Sequence, residues 1–437
     1  MFVILVILAI LANHKPLHMK STDTSKNVIF LVIVAALGYF VDIYDLLIFA
    51  ILRVASLKDL GVAPADITGK GLFIQNMQMG GLLVGGIIWG IIGDKFGRIK
   101  VLFGSILLYS VANFANGFVH DVNTYAIVRL IAGIGLAGEL GAGITLVAET
   151  MSAKNRGYGT MVVAVVGLFG AVAAAIVARH FEWRTAYFVG AGLGVLLLLL
   201  RLGTFESGLY KQVEQSNISK GNMIMLFSDR KRFWKYLCCI LIGLPLWYVV
   251  GVLVTLSPEF GLALGGKQPL SAGTGIMWTY IGIAIGDIFA GIFAQITRSR
   301  KLTMLVFMFL SMVSMICYLN AKGITQQQFV GLCLFMGISV GYWATFVTIA
   351  SEQFGTNLRA TVTTTVPNFV RGALIPISLS FLFFVNVYNP SKQTGAKHGE
   401  AMIKSGYVMM AILTLIAVFA LSQLKESFGK DLDYLEK

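Results

Sequence analysis

Two carboxylates three residues apart, Asp42 and Asp45, sit inside an apolar run from about 28 to 52. About 20 residues at 1.5 Å each cross the hydrocarbon core of a bilayer, so this run is long enough to span one. A carboxylate at that depth costs roughly 2.5–3.5 kcal/mol to insert, and it normally faces a polar cavity or a partner. Two acids on neighbouring helical positions read as a proton or cation site. Three further ionisable groups lie deep in apolar runs: Arg129, Glu139 and Arg371. Asp45 and Arg129 fall at the same depth from one face, where a guanidinium can neutralise a carboxylate. Protonating Asp45 would loosen such a pair and tie proton entry to rearrangement; a static ion pair is the plainer alternative. Glu139, near mid-membrane after Gly135-Leu136-Ala137-Gly138, is a second proton-site candidate or an inert hydrogen-bonded acid. Arg371, within Pro367-Asn368-Phe369-Val370-Arg371, is a lone arginine whose planar fork suits a substrate carboxylate. Alternatively it pairs with Asp287 or Glu139. Tyr44, Gln75, Tyr248, Tyr342 and Asn368 are candidates to complete a substrate pocket.

The elements that must hold these groups are membrane helices. Of 437 residues, 57% are hydrophobic and only 13% charged, against about 25% charged in soluble domains. The expected fold class is all-α integral membrane, with twelve helices in two six-helix pseudo-repeats around a central cavity. Twelve apolar segments are expected, at about 28–52, 71–93, 100–118, 123–150, 158–178, 184–203, 234–258, 271–297, 302–320, 326–350, 361–386 and 404–423. The domain reading is an N-terminal lead (1–27), a first half (28–203), a linker (204–233), a second half (234–423) and a tail (424–437). The first eighteen residues read as an upstream start or an interfacial segment. Lys and Arg crowd one set of loops, which predicts cytoplasmic termini. The net charge of +13 is therefore a topology signal, and nucleic-acid binding is not expected. The four cysteines lie in apolar runs and the five histidines do not cluster, so neither a disulfide framework nor a metal site is expected. No nucleophile–base pair or phosphate loop is visible, so neither an enzyme nor a cofactor is expected.

The pair Glu149 and Arg156 recurs 203 residues later as Glu352 and Arg359, and Gly90, Asp94 and Arg98 have a weaker echo around Gly291 to Arg300. Two copies of one six-helix unit explain this. A uniform offset of 203 maps Asp42 to Pro245, Asp45 to Tyr248, Arg129 to Leu332 and Glu139 to Tyr342. The buried charges of the first half thus lack charged counterparts, which favours coupling over scaffolding.

The run Gly90-Ile91-Ile92-Gly93-Asp94-Lys95-Phe96-Gly97-Arg98-Ile99-Lys100 resembles the loop signature of the major facilitator superfamily, with Ile99 as the one departure. Arg129 to Gly157, Glu206-Ser207 and Lys425-Glu426-Ser427 resemble patterns of its sugar porter, organic-ion and aromatic-acid:proton symporter group. The resemblance implies proton-coupled uptake of a small organic anion by alternating access, the anion being an aromatic acid, sugar acid or other carboxylate. It implies proton coupling through Asp42, Asp45, Arg129 and Glu139. Gly90, Asp94, Arg98, Glu149, Arg156, Glu352 and Arg359 would control conformation. Ile43 stands where the aromatic-acid symporters carry glycine, which leaves the substrate class open. The alternatives are a drug or siderophore exporter, or a neutral-sugar symporter; the lack of proline in Tyr158–Ala178 speaks against a proton-driven drug exporter. The expected setting is a bacterial inner membrane, and the expected form a monomer with a small-molecule substrate, protons and lipid as partners.

Overall fold

The computed structural model describes residues 22–96, 98–139, 156–206, 224–391 and 393–429. Glu149 lies outside the described residues, as do the side chains of Asp94, Arg98 and Arg156, and most of the expected linker. In a bilayer every backbone N–H and C=O must find a partner within the protein, and an unbroken apolar helix achieves this by itself. Among the described residues, ten segments are helices long and apolar enough to cross a membrane. The expected third and fourth spans are also helical, over Arg98–Asn116 (α3) and Val122–Leu136 (α4).

The first half begins with α1 (Thr22–Asp59) and α2 (Ile67–Phe96). After α3 and α4 come α5 (Arg156–His180) and α6 (Trp183–Glu206). α1 starts earlier and ends later than the apolar run, because helix continues through the flanking polar residues. The short α7 (Ile224–Ser228) and the start of α8 (Arg230–Leu241) occupy part of the stretch expected to be linker. Polar caps mark several starts. Asp121 accepts from the amides of Asn123 and Thr124 at the head of α4, and Asp229 caps α8 in the same way.

Among the described residues the second half is interrupted at more places than the first. Its first span runs through α8, α9 (Leu244–Tyr248), a π-helical turn (Val249–Val254) and α10 (Ser257–Ala263). Pro245 and Pro258 sit in the first turns of α9 and α10, where a missing N–H costs nothing. α11 (Ala272–Thr297) and α12 (Arg300–Leu319) are continuous. The tenth span is broken at Gly341–Tyr342 into α13 (Gln326–Val340) and α14 (Trp343–Glu352). α15 (Thr356–Gly372), α16 (Leu374–Tyr388) and α17 (Ala396–Gln423) complete the chain.

Close helix pairs rest on glycine, as expected where small residues let backbones approach. A Cβ on Gly81 would strike the carbonyl of Leu130, and one on Gly133 that of Gln78, locking α2 to α4. Gly282 and Gly337 do the same for α11 and α13, against the carbonyls of Leu334 and Thr279. These equivalent pairs are displaced by 201 residues in one helix and 204 in the other, so no uniform offset of 203 relates the halves. Gly337→Val should accordingly destabilise at or beyond the roughly 1–3 kcal/mol of an overpacked core site, because the struck atom is backbone and cannot swing away. Gly331→Ala on the same helix meets nothing within 4 Å and should leave the melting midpoint in detergent unchanged. The halves meet where α11 packs on α1 and α5, and where α2 packs on α15 and α16.

Candidate functional site

Charge is concentrated where the halves meet. Arg371 of α15 crosses to α1 and places Nη1 and Nη2 each 3.5 Å from one oxygen of Asp42. Both side chains are buried, at 1% and 0% exposure, and the second carboxylate oxygen of Asp42 has no hydrogen-bond partner among the described residues. This is a partner that depth counting did not offer, and it replaces the expected Asp287 and Glu139 alternatives for Arg371. The guanidinium also lies 6.0 Å from the ring of Trp247. Tyr39 and Tyr280 stand beside the pair. One turn back on α15, Asn368 donates to the Ala137 carbonyl at 3.0 Å, again across the interface. Gln75 reaches the carbonyl of Gly251 at 3.4 Å, and Ser378 donates to Asn76 at 2.9 Å.

Asp45 and Arg129 do come together, but in another manner than the expected carboxylate–guanidinium pair. Arg129 Nη1 donates to the main-chain carbonyl of Asp45 at 3.4 Å, and Nη2 donates to the side-chain oxygen of Asn113. Its guanidinium lies 4.8 Å from the Tyr187 ring. The Asp45 carboxylate turns toward Gly190 of α6, where a Cβ would meet it at 2.6 Å. Equal depth is right; the angle around the helix decides the contact, and sequence does not carry that angle.

Glu139 has a basic partner that sequence reasoning missed. Arg201 of α6 lies 2.7 Å from its carboxylate, with exposures of 2% and 1%. A Cβ on Gly38 of α1 would strike this guanidinium, so α1 lies directly over the pair, one turn before Asp42. Arg201 stands near the end of its apolar run, directly after Leu196 to Leu200, and a lone cation against so apolar a stretch is the signal that could have found it.

Two of the proposed pocket tyrosines are committed elsewhere. Tyr44 donates to the Ala186 carbonyl and Tyr248 to the Gly406 carbonyl, each at 2.8 Å, so each hydroxyl ties the first span of its half to the sixth. They are structural equivalents, 204 residues apart, whereas the 203 offset had matched Tyr248 to Asp45. Tyr342 is fully buried at the break between α13 and α14.

One face of the interface is latched. Arg53, fully buried at the end of α1, lies 2.7 Å from Glu259 of α10 and 3.3 Å from the Thr255 carbonyl. Thr68 donates to the same Glu259 at 3.1 Å. Sequence reasoning passed over both charges because they stand just beyond apolar runs. A charge-assisted bond of this kind is worth about 1.5–3 kcal/mol, so Glu259→Gln should raise the population open on this face by roughly tenfold or more. Maleimide labelling of Val254→Cys, in a background without the native cysteines, should rise with it; unchanged labelling would mean the latch carries no conformational energy.

At the opposite face of the second half, Arg300 grips Glu352 through two bonds of 3.0 Å, and Ser427 adds a third at 2.7 Å. Glu352 is thus held by Arg300, while Arg359 reaches the Phe354 carbonyl at 3.5 Å. Burial pushes the Glu426 carboxyl up, but bonds from the Ser299 hydroxyl and the amides of Phe428, Arg300 and Lys301 outweigh it and hold the pKa at about 2. A Cβ on Gly90 would meet nothing within 4 Å, so this conformation places no steric demand there.

Long apolar spans, two interlocked halves and paired charges sealed between them define a multi-pass membrane transporter. The sequence profile of the major facilitator superfamily matches residues 28–378, and the chain belongs to that family. It is a transporter and not an enzyme. It is 25% identical over 330 residues to the 3-(3-hydroxy-phenyl)propionate transporter of Escherichia coli, covering 71% of this chain and 78% of that one. It is also 25% identical over 364 residues to the sialic acid transporter NanX of Escherichia coli, covering 80% and 85%. Its fold matches the crystal structure of a D-xylose-proton symporter with a TM-score of 0.65 at 18% identity, over 93% of this chain and 100% of that one.

Proposed function

We propose that this protein imports a small organic carboxylate together with a proton, by alternating access across a bacterial inner membrane with both termini cytoplasmic. The observation that carries the reading is the buried Arg371–Asp42 pair between the halves. At 3.5 Å its contacts are longer than the roughly 2.7–2.9 Å of a tight charge-assisted bond, so the guanidinium is incompletely satisfied. A substrate carboxylate can take Asp42's place only if the aspartate loses its charge. Proton binding does this: Asp42⁻ with Arg371⁺ becomes neutral Asp42 with Arg371⁺ and the substrate anion. The buried charge sums to zero in both states. Loading the anion without the proton would leave a net negative charge in a dehydrated interface, which is prohibitive. Coupling then follows from charge balance. Asp45 of α1 with Arg129, and Glu139 with Arg201 beneath α1, belong to the first half and are the further acids through which a proton can pass. Asn368 and Gln75 border the exchange site, while Tyr44 and Tyr248 brace it from within their own halves. Both relatives named above are named for organic acids, which supports the carboxylate reading.

The test is uptake into proteoliposomes under an imposed inward proton gradient, using labelled 3-(3-hydroxyphenyl)propionate, benzoate and sialic acid, with D-xylose as a neutral control. Accumulation of an acid that collapses on adding a protonophore is the expected result. Accumulation of xylose with no movement of any acid would instead assign a neutral-sugar symporter. Proton-driven loss of preloaded amphipathic compounds would assign an exporter, with Arg371 structural.

A further inference from the structure

Asp287 of α11 is an acid whose partners are not basic. Its Oδ1 accepts from the Ala344 amide at 2.9 Å, the Trp343 amide also points to it, and Oδ2 is sealed from solvent. These amides are the first N–H groups of α14, which starts afresh after the break at Gly341–Tyr342, near the middle of the span Gln326–Glu352. A helix beginning there leaves its leading N–H groups without partners inside the helix, and within a membrane span each costs several kcal/mol if nothing else pairs it. The residue preceding α14, Tyr342, supplies no side-chain cap. The neighbouring helix supplies it instead. Gly286, immediately before Asp287, packs against Gly341 with no room for a Cβ, so α11 is held against the break and its next side chain enters the gap. A carboxylate at the positive end of a helix is also favoured electrostatically.

The first half closes its equivalent break with opposite chemistry. Where α4 ends at Leu136, the exposed groups are carbonyls, and Trp89 of α2 donates to Ile134 at 2.6 Å. In each half, then, the helix glycine-locked to the broken one also provides the missing hydrogen-bond partner.

We infer that Asp287 is a positioning residue that acts as a hydrogen-bond acceptor for the broken tenth span and not as a carrier of protons or a partner of substrate. By fixing the Trp343 and Ala344 amides it fixes where the chain turns. That in turn sets the directions of the buried Tyr342 and Trp343, the former lying against Leu246 of α9. The inference is independent of which solute is carried.

The deciding experiment is hydrogen–deuterium exchange of the segment 341–348 in nanodiscs, comparing wild type with Asp287→Asn and Asp287→Ala. Asparagine keeps a carbonyl oxygen in the same place but carries neither charge nor proton. Its exchange should stay within about threefold of wild type, whereas alanine should speed exchange at Trp343 and Ala344 by tenfold or more. If the alanine variant does not fold, Asp287→Ser, too short to reach the amides, takes its place with the same expectation. Exchange unchanged in the alanine or serine variant would overturn the inference. So would asparagine behaving like alanine, which would show that the charge is what matters.

Discussion

Arg371→Ala should abolish uptake of the transported acid and lower the melting midpoint, while the double variant Arg371→Ala/Asp42→Asn should regain stability but not uptake. The reason lies in what the single change leaves behind. Asp42 is fully buried, and removing one member of a buried pair costs roughly 3–5 kcal/mol because the other charge is stranded. Asparagine at position 42 removes that stranded charge, so the stability defect should largely disappear. Nothing in the double variant can hold an anion, so transport should remain absent. Asp42→Asn alone should bind the acid without a proton and let it equilibrate across the membrane, without accumulation. Thermal unfolding in detergent reads the first effect and proteoliposome uptake the second. A single variant as stable as wild type would show that the pair carries little energy.

The second large effect is expected at Arg201. Arg201→Met should destabilise by about 3–5 kcal/mol, since it abandons the Glu139 carboxylate beneath α1. Adding Glu139→Leu should restore much of the loss, because an apolar pair of similar size is often as stable as a buried ion pair. The two measurements together separate structure from coupling. If the apolar double variant is stable and still accumulates substrate against a gradient, Glu139 is not needed for protons. If it is stable but only equilibrates the substrate, Glu139 belongs to the coupling machinery.

Much of the architecture could be read from the chain. Hydropathy located the apolar helices, ten of which among the described residues are long enough to cross a membrane, because an apolar run of some twenty residues has few other fates. The isolated charges singled out in those runs, Asp42, Asp45, Arg129, Glu139 and Arg371, are all buried. Partner choice was not legible. Position along a helix gives depth, but Arg129 meets the carbonyl of Asp45 and Arg371 meets Asp42 from the other half, and both depend on how helices are rotated and packed. The internal repeat misled in one respect. The locked glycines are displaced by 201 residues in one helix pair and 204 in the other, so a single offset aligned Tyr248 with Asp45 when its true counterpart is Tyr44. Charges just outside apolar runs, Arg53 and Glu259, looked like ordinary loop residues. Only the fold reveals that they close on each other.

The Ala137 carbonyl depends on Asn368, a donor that belongs to the other half. Whenever the halves part at that level, the donor leaves, and hydrocarbon can offer no replacement. A water molecule can. Separation there and hydration of the end of α4 are therefore one event, and the rate of gating should respond to water activity, slowing as osmolyte is raised.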